Sequence, residues 1–206
     1  FVEKLSNELA KHFYVIISTP FVFSKKKLKK FSKFKVTRFK YFFKKGCNLT
    51  GGSGVFGNIK SSPLKALKIP LFLLFQFIHL IKVIKKEKID ICHAHWLLPQ
   101  ALQLVIIKKL CPKLKFKILL TIHGSDINRF KSIIFRRIIL WTTRNVDIIT
   151  VVSNALKNDL IEFGITKEIR VYPMGVDMNH FKKMNLEKNQ NQILFVASLL
   201  EKKGLI

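Results

Sequence analysis

Acidic residues are what this chain has least of. Twelve Asp and Glu stand against 38 Lys and Arg in 206 residues, a net charge of +26. That imbalance predicts attraction to anionic surfaces, nucleic acid or phospholipid, and leaves the fold open. Biased codon usage accounts for the lysine excess equally well, since Asn and Ile are abundant alongside it. Cysteine is also scarce. Cys47, Cys92 and Cys111 are widely spaced and form no C-x-x-C pair, which argues against a zinc site and fits a reducing compartment. No signal peptide is visible, but Phe1 opens directly into a helical pattern, so the natural N-terminus is expected upstream. Hydrophobic residues make up 49%, enough for a large core and against disorder. The length fits one full domain and the start of a second.

The chain is organised around Thr121-Ile122-His123-Gly124-Ser125-Asp126, which closes the apolar run Lys117-Ile118-Leu119-Leu120. Such a run, ended by a glycine turn, predicts a buried strand of a parallel sheet. Ligands in open α/β sheets sit beyond the carboxyl ends of the strands, which makes His123 a candidate for chemistry. Two further strands end in polar tips. Ile89 to Cys92 runs into His93-Ala94-His95-Trp96, and Asp147 to Val152 runs into Ser153-Asn154. Parallel strands would turn all three tips toward one cleft. His95, Gly124, Ser125, Asp126, Ser153 and Asn154 are therefore substrate-side candidates. Plain helix capping accounts for Ser153 on its own, although a helix start there also offers free N–H groups to a phosphate or sugar oxygen.

Val2, Leu5, Leu9 and Phe13 predict an amphipathic helix that leads into a strand at Tyr14 to Ser18, the second half of a βαβ unit. Residues 24 to 45 hold eleven Lys or Arg and no acid, interleaved with Phe31, Phe34, Phe39, Tyr41, Phe42 and Phe43. The first reading is a surface strand near Val36 to Phe39 flanked by solvated lysines. An anionic membrane surface ranks second and single-stranded nucleic acid third. Gly52 to Gly57 matches G-x-G-x-x-G, but no strand leads into it and Ser61-Ser62-Pro63 follows, so a flexible loop is expected. Leu71 to Ile84 is almost wholly apolar apart from Gln76, His79 and Lys82 at spacing three. Fourteen residues are too few to span a bilayer, so a core helix is expected, with an interfacial helix as the alternative and His79 facing solvent.

His-x-His on a strand suits a metal, because alternate residues share one side. His93, His95 and His123, with Asp126, thus make a metal-dependent hydrolase a rival reading. Pro99 is placed to start a helix. Ser132 to Asn145 reads as a helix, and so does the stretch from the Ser153 cap to Gly164. Ile169 to Tyr172 reads as a short strand. Residues 184 to 191 read as a polar linker between a first domain, 1 to 183, and a second that begins at 192 with the strand Ile193 to Val196.

In their order along the chain, Asp90 to Gln100, Thr121 to Asp126, Val152-Ser153-Asn154 and Tyr172 to Asp177 resemble the motifs of glycosyltransferase family 4. Arg38 to Tyr41 and Phe195 to Leu199 extend the resemblance over nearly the whole chain. It implies a GT-B fold, two Rossmann-like doubly wound parallel sheets of the α/β class. This chain would supply the acceptor-side domain, without its first strand, and the first strand of the donor domain. It also implies retaining transfer from a nucleotide-sugar donor to a saccharide or lipid-linked acceptor without a metal or other cofactor. The setting is surface polysaccharide or glycolipid synthesis in the cytoplasm, at or near the inner face of the membrane. Within that resemblance His123 contacts the transferred sugar, and Lys203 matches a basic residue that neutralises the diphosphate. Ser198 stands where the family carries arginine, a departure that bears on donor affinity. Residues 1 to 206 alone are expected not to turn over a nucleotide sugar.

Overall fold

The computed structural model of the chain describes residues 2–23, 33–51, 54–124, 132–176, 178, 181, 191 and 193–196. The elements run α1 (Val2–Leu9), β1 (Ile16–Pro20), β2 (Lys35–Phe39), α2 (Gly54–Ser61), α3 (Ile69–Glu87), β3 (Ile91–Ala94), α4 (Leu102–Leu110), β4 (Lys117–Ile122), α5 (Ile133–Asn145), β5 (Ile148–Val151), α6 (Asn154–Glu162) and β6 (Ile169–Val171), with helix and strand alternating from α3 onward. Every pairing is parallel. β1 pairs with β2, and a second sheet runs β3-β4-β5-β6. Parallel neighbours need long crossovers, and in the second sheet the intervening helices α4, α5 and α6 supply them. The result is the Rossmann-like α/β architecture expected of the sequence.

β4 lies between β3 and β5, and its apolar residues explain why. Ile118, Leu120 and Ile122 are fully buried, as are Ile149 and Val151 of β5. They pack with Ile107 of α4, Ile139 of α5 and Leu160 of α6 in one core. Burying each such side chain stabilises the fold by roughly 1.5–3 kcal/mol. At the amino ends of these strands Asp147 Oδ2 accepts from Lys108 Nζ at 2.7 Å and from the Ile118 amide at 2.8 Å. One carboxylate thereby ties α4, β4 and β5 together. At the other end of β5, Ser153 caps α6 through a bond from the Leu156 amide at 3.2 Å. Gly164 follows α6 at φ +104° and lets the chain leave the helix.

A smaller core gathers Phe39, Tyr41, Cys47, Leu49 and Phe72. The Tyr41 hydroxyl accepts from the Leu49 amide at 2.7 Å, which satisfies the buried phenol. Three of the aromatics in the basic segment are thus interior, since Phe34, Phe39 and Tyr41 are all buried, while Phe42 and Phe43 are exposed. The strand expected near Val36 to Phe39 is β2, paired along one side with β1. β1 and β3 each keep one edge without a strand partner among the described residues. Both edges line one cavity of about 1290 Å³, together with Leu5 and Leu9 of α1 and Leu80 and Ile84 of α3.

Three local expectations are corrected and a fourth, at Pro99, is refined. Residues from Gly54 form helix α2, not a loop. Val55 and Ile59 pack on the smaller core, and Asn58 Nδ2 donates to the carbonyls of Leu49 and Gly51 at 3.0 and 2.6 Å. Tertiary contact there outweighs the helix penalty of the glycines. His79 faces inward: its Nε2 shares a hydrogen bond with Thr37 Oγ1 at 3.2 Å, beside the Phe39 ring. Burial, with the nearby Lys82 charge, holds its pKa below the ordinary histidine value. Pro99 opens helical backbone as expected, first as a π-helical turn through Ala101 and then as α4. The backbone is extended at Leu98, as the residue before a proline prefers, the Leu98–Pro99 peptide is cis, and α4 starts only at Leu102. Ile193 to Val196 lie exposed without strand structure. A strand exists only through a partner's ladder, and none of the described residues pairs with this one.

The chain divides into a first compact unit, Phe1 to Pro173, and a second, Met174 to Ile206. All the helices and strands of the described residues belong to the first.

Candidate active site

The parallel order β3-β4-β5 brings the three polar tips to one end of the sheet. Register pairs His93 with Leu119 and Thr121 with Thr150, so alternation along the strands sets polar side chains side by side. His93 Nε2 shares a hydrogen bond with Thr121 Oγ1 at 2.8 Å. Thr121 Oγ1 shares another with Thr150 Oγ1 at 2.7 Å. Thr150 Oγ1 also donates to the Leu120 carbonyl at 3.3 Å. This chain of bonds crosses three strands beneath the site and fixes the His93 ring.

From that anchor the imidazoles stack outward. The His93 and His95 rings lie 4.0 Å apart between centroids, and His95 and His123 lie 5.7 Å apart with an interplanar angle of 27°. All three are half-buried. Burial pushes His93 down to about 4, with the charge of His123 adding to it. His95 is also lowered to about 4, by burial first and then by His93 and His123. Both rings are therefore neutral at pH 7, each able to donate through one nitrogen and accept through the other. Cys92, next to them in sequence, is pushed up to about 12 by burial, which keeps it a thiol and removes it as a nucleophile.

His123 leaves β4 directly, and Gly124 after it has φ +94°. Among the described residues a side chain at Gly124 would touch only Leu156, at 3.7 Å, and the positive φ is what calls for glycine. Ser153 and Asn154 are exposed at the start of α6, after β5. The Ser153 hydroxyl is occupied in capping. His95, His123, Gly124, Ser153 and Asn154 thus follow neighbouring strands at the same end of the sheet. Ser125, Asp126, Ser198 and Lys203 lie outside the described residues.

The metal reading finds no support in this geometry. Among the described residues no group of three His, Cys, Asp or Glu is placed to hold an ion, and Asp126 lies outside them. The sequence marks Thr121 only as part of the stretch that ends β4, and gives neither it nor Thr150 a role in the site. Two threonines at the carboxyl ends of adjacent buried strands, where Val or Ile would serve packing as well, are the signal that marks them.

The glycosyltransferase family 4 model matches residues 2–180, which is most of the chain. The chain belongs to glycosyltransferase family 4. A protein of Methanocaldococcus jannaschii named as an uncharacterized glycosyltransferase is 34% identical over 124 residues, covering 60% of this chain and 33% of that protein. The match therefore spans a third of that relative's length. The family 4 match ends before Ser198 and Lys203, so it covers the three strand tips but neither donor-side candidate.

Proposed function

We propose that this family 4 domain forms the acceptor side of a retaining glycosyltransferase, with His123 at the reacting sugar. The observation that carries the proposal is the stack of His93, His95 and His123 at the carboxyl ends of parallel strands, held from below by Thr121 and Thr150. In such a transfer the bond between the anomeric carbon and the diphosphate oxygen breaks. The acceptor oxygen bonds to the same face of that carbon, and its proton passes to the departing diphosphate. Neutral imidazoles can hydrogen-bond sugar hydroxyls at little desolvation cost, and a donor fixed in advance steadies charge as it develops. Gly124 lets the backbone come close to the sugar. Ser153 and Asn154 add free amides at the start of α6 for hydroxyl or phosphate oxygens.

On this reading the donor is a nucleotide sugar, and the acceptor is a saccharide or a lipid-linked saccharide on the cytoplasmic side of a membrane. The diphosphate charge falls to basic side chains, Lys203 among them, with no metal cofactor, and Ser198 contributes less than an arginine would. The test is release of nucleoside diphosphate from a panel of nucleotide sugars by the active enzyme, with and without His123→Ala. The substitution is expected to lower turnover at least tenfold, about 1.4 kcal/mol of barrier. Unchanged turnover in a folded variant removes His123 from the site. Metal-dependent hydrolysis with no use of any nucleotide sugar overturns the whole reading.

A further inference from the structure

The helical stretch Pro63–Glu87 is apolar on its inner face, where Phe72, Leu80 and Ile84 pack on the two cores, and on its outer face as well. Its polar stripe faces the protein: Gln76 is buried, and His79 bonds Thr37 of β2. An apolar stripe faces out. Leu71, Leu74, Phe75 and Ile78, at i, i+3, i+4 and i+7, are exposed, continuing Leu64 and Leu67, which are about three-quarters exposed at 76% and 75%. Single exposed apolar residues are ordinary, but six along one face of one helical segment are not. With mean hydropathy 1.9 the stretch is apolar enough to cross a membrane, yet its inner face is already engaged. Phe72 packs 5.4 Å from Phe39 and 5.2 Å from Tyr41, and Gln103 Nε2 of α4 donates to the Leu73 carbonyl at 3.0 Å. A helix held along its length by its own domain lies on a bilayer and does not thread it.

Charge says what covers the exposed stripe. Lys60 precedes it, and Lys82, Lys85 and Lys86 follow it, all exposed. The sequence has no acid between Glu8 and Glu87. Glu87 itself is taken by Lys35 at 2.8 Å and by the Tyr14 hydroxyl at 3.3 Å. An apolar stripe bracketed by uncompensated lysines matches the interface of an anionic bilayer, acyl chains in the middle and phosphates at the rim.

We propose that the outer face of Pro63–Glu87 seats this domain on an anionic phospholipid bilayer. Leu64, Leu67, Leu71, Leu74, Phe75 and Ile78 enter the interface, while the flanking lysines meet lipid phosphates. This moves the contact from the basic segment 24 to 45, where half the aromatics serve the core, to the neighbouring helix. The proposal stands apart from the transfer reaction, and its failure leaves that reading untouched.

The experiment is sedimentation of the chain with vesicles of phosphatidylglycerol and phosphatidylcholine, and of phosphatidylcholine alone, over a range of salt. Wild type is expected to partition onto the anionic vesicles and to weaken, without vanishing, as salt rises. The pair Leu74→Asp, Phe75→Asp lies on the exposed face, so its melting temperature and circular dichroism should match wild type while partitioning falls at least tenfold. Lys82→Ala, Lys85→Ala, Lys86→Ala should flatten the salt dependence. Wild-type partitioning by the aspartate pair overturns the proposal. So does a wild type that ignores vesicles but self-associates in a way the aspartate pair abolishes, since a second copy of the chain would then cover the stripe.

Discussion

His93 and His95 carry a consequence for stability as well as for the site. Each is neutral in the folded protein down to about pH 4, against an ordinary value near 6.5 in the unfolded chain. Between those limits the unfolded chain binds more protons, so stability falls as pH drops through that window. Above about 6.5 the contribution is fully present. Urea midpoints measured from pH 7.5 to 4 should show this acid limb, and His93→Gln with His95→Gln should make it shallower. Identical slopes for wild type and variant would place the acid sensitivity elsewhere. Asp147 acts lower on the scale. Burial pushes its carboxyl up, but bonds from Lys108 and the Ile118 amide outweigh that and hold it below its usual range. Its stabilisation is lost only as pH falls past the ordinary carboxylate values, which separates it from the histidine limb.

Among the elements, β4 is the strand on which the candidate site depends, paired on both sides and with Ile118, Leu120 and Ile122 buried along one face. β1 and β3 differ from it, each presenting one open edge to the shared cavity. A parallel edge strand leaves alternate N–H groups without ladder partners, and such strands open locally before the core does. Amide exchange should therefore be at least tenfold faster over Ile16–Pro20 and Ile91–Ala94 than at Ile118, Leu120 and Ile122. Equal protection across the three strands would mean that the β1 and β3 edges are covered in solution. The difference bears on function, because His93 and His95 hang from the edge strand β3 while His123 hangs from β4. The bond from His93 to Thr121 ties the less protected strand to the better protected one.

At the scale of the molecule, +26 charges on 206 residues repel one another in any compact state. Salt screens that repulsion, so the melting temperature should rise between about 20 and 300 mM ionic strength, where the Debye length shortens from roughly 20 to 6 Å. A fall would show that ion pairs such as Lys108–Asp147 dominate instead. The sequence determined the parts that repeat locally. Apolar runs closed by His123, His93 and Ser153 marked β3, β4 and β5 and their polar tips, because strand burial and helix capping are written in consecutive residues. It also placed α5 and α6 to within a residue or two, from Ser132, Ser153 and Gly164. Only the tertiary structure decided which side of each element faces in. Gln76 and His79 form a stripe at helical spacing either way, and Thr37 and Phe39, some forty residues earlier, made it the inner one. Residues 54 to 61 became a helix because Leu49 and the smaller core received them, while Ile193 to Val196, as apolar as β4, have no strand partner among the described residues. Periodicity is a property of the backbone's own hydrogen bonds, but burial and pairing belong to contacts distant in sequence, and those alone stacked His93, His95 and His123.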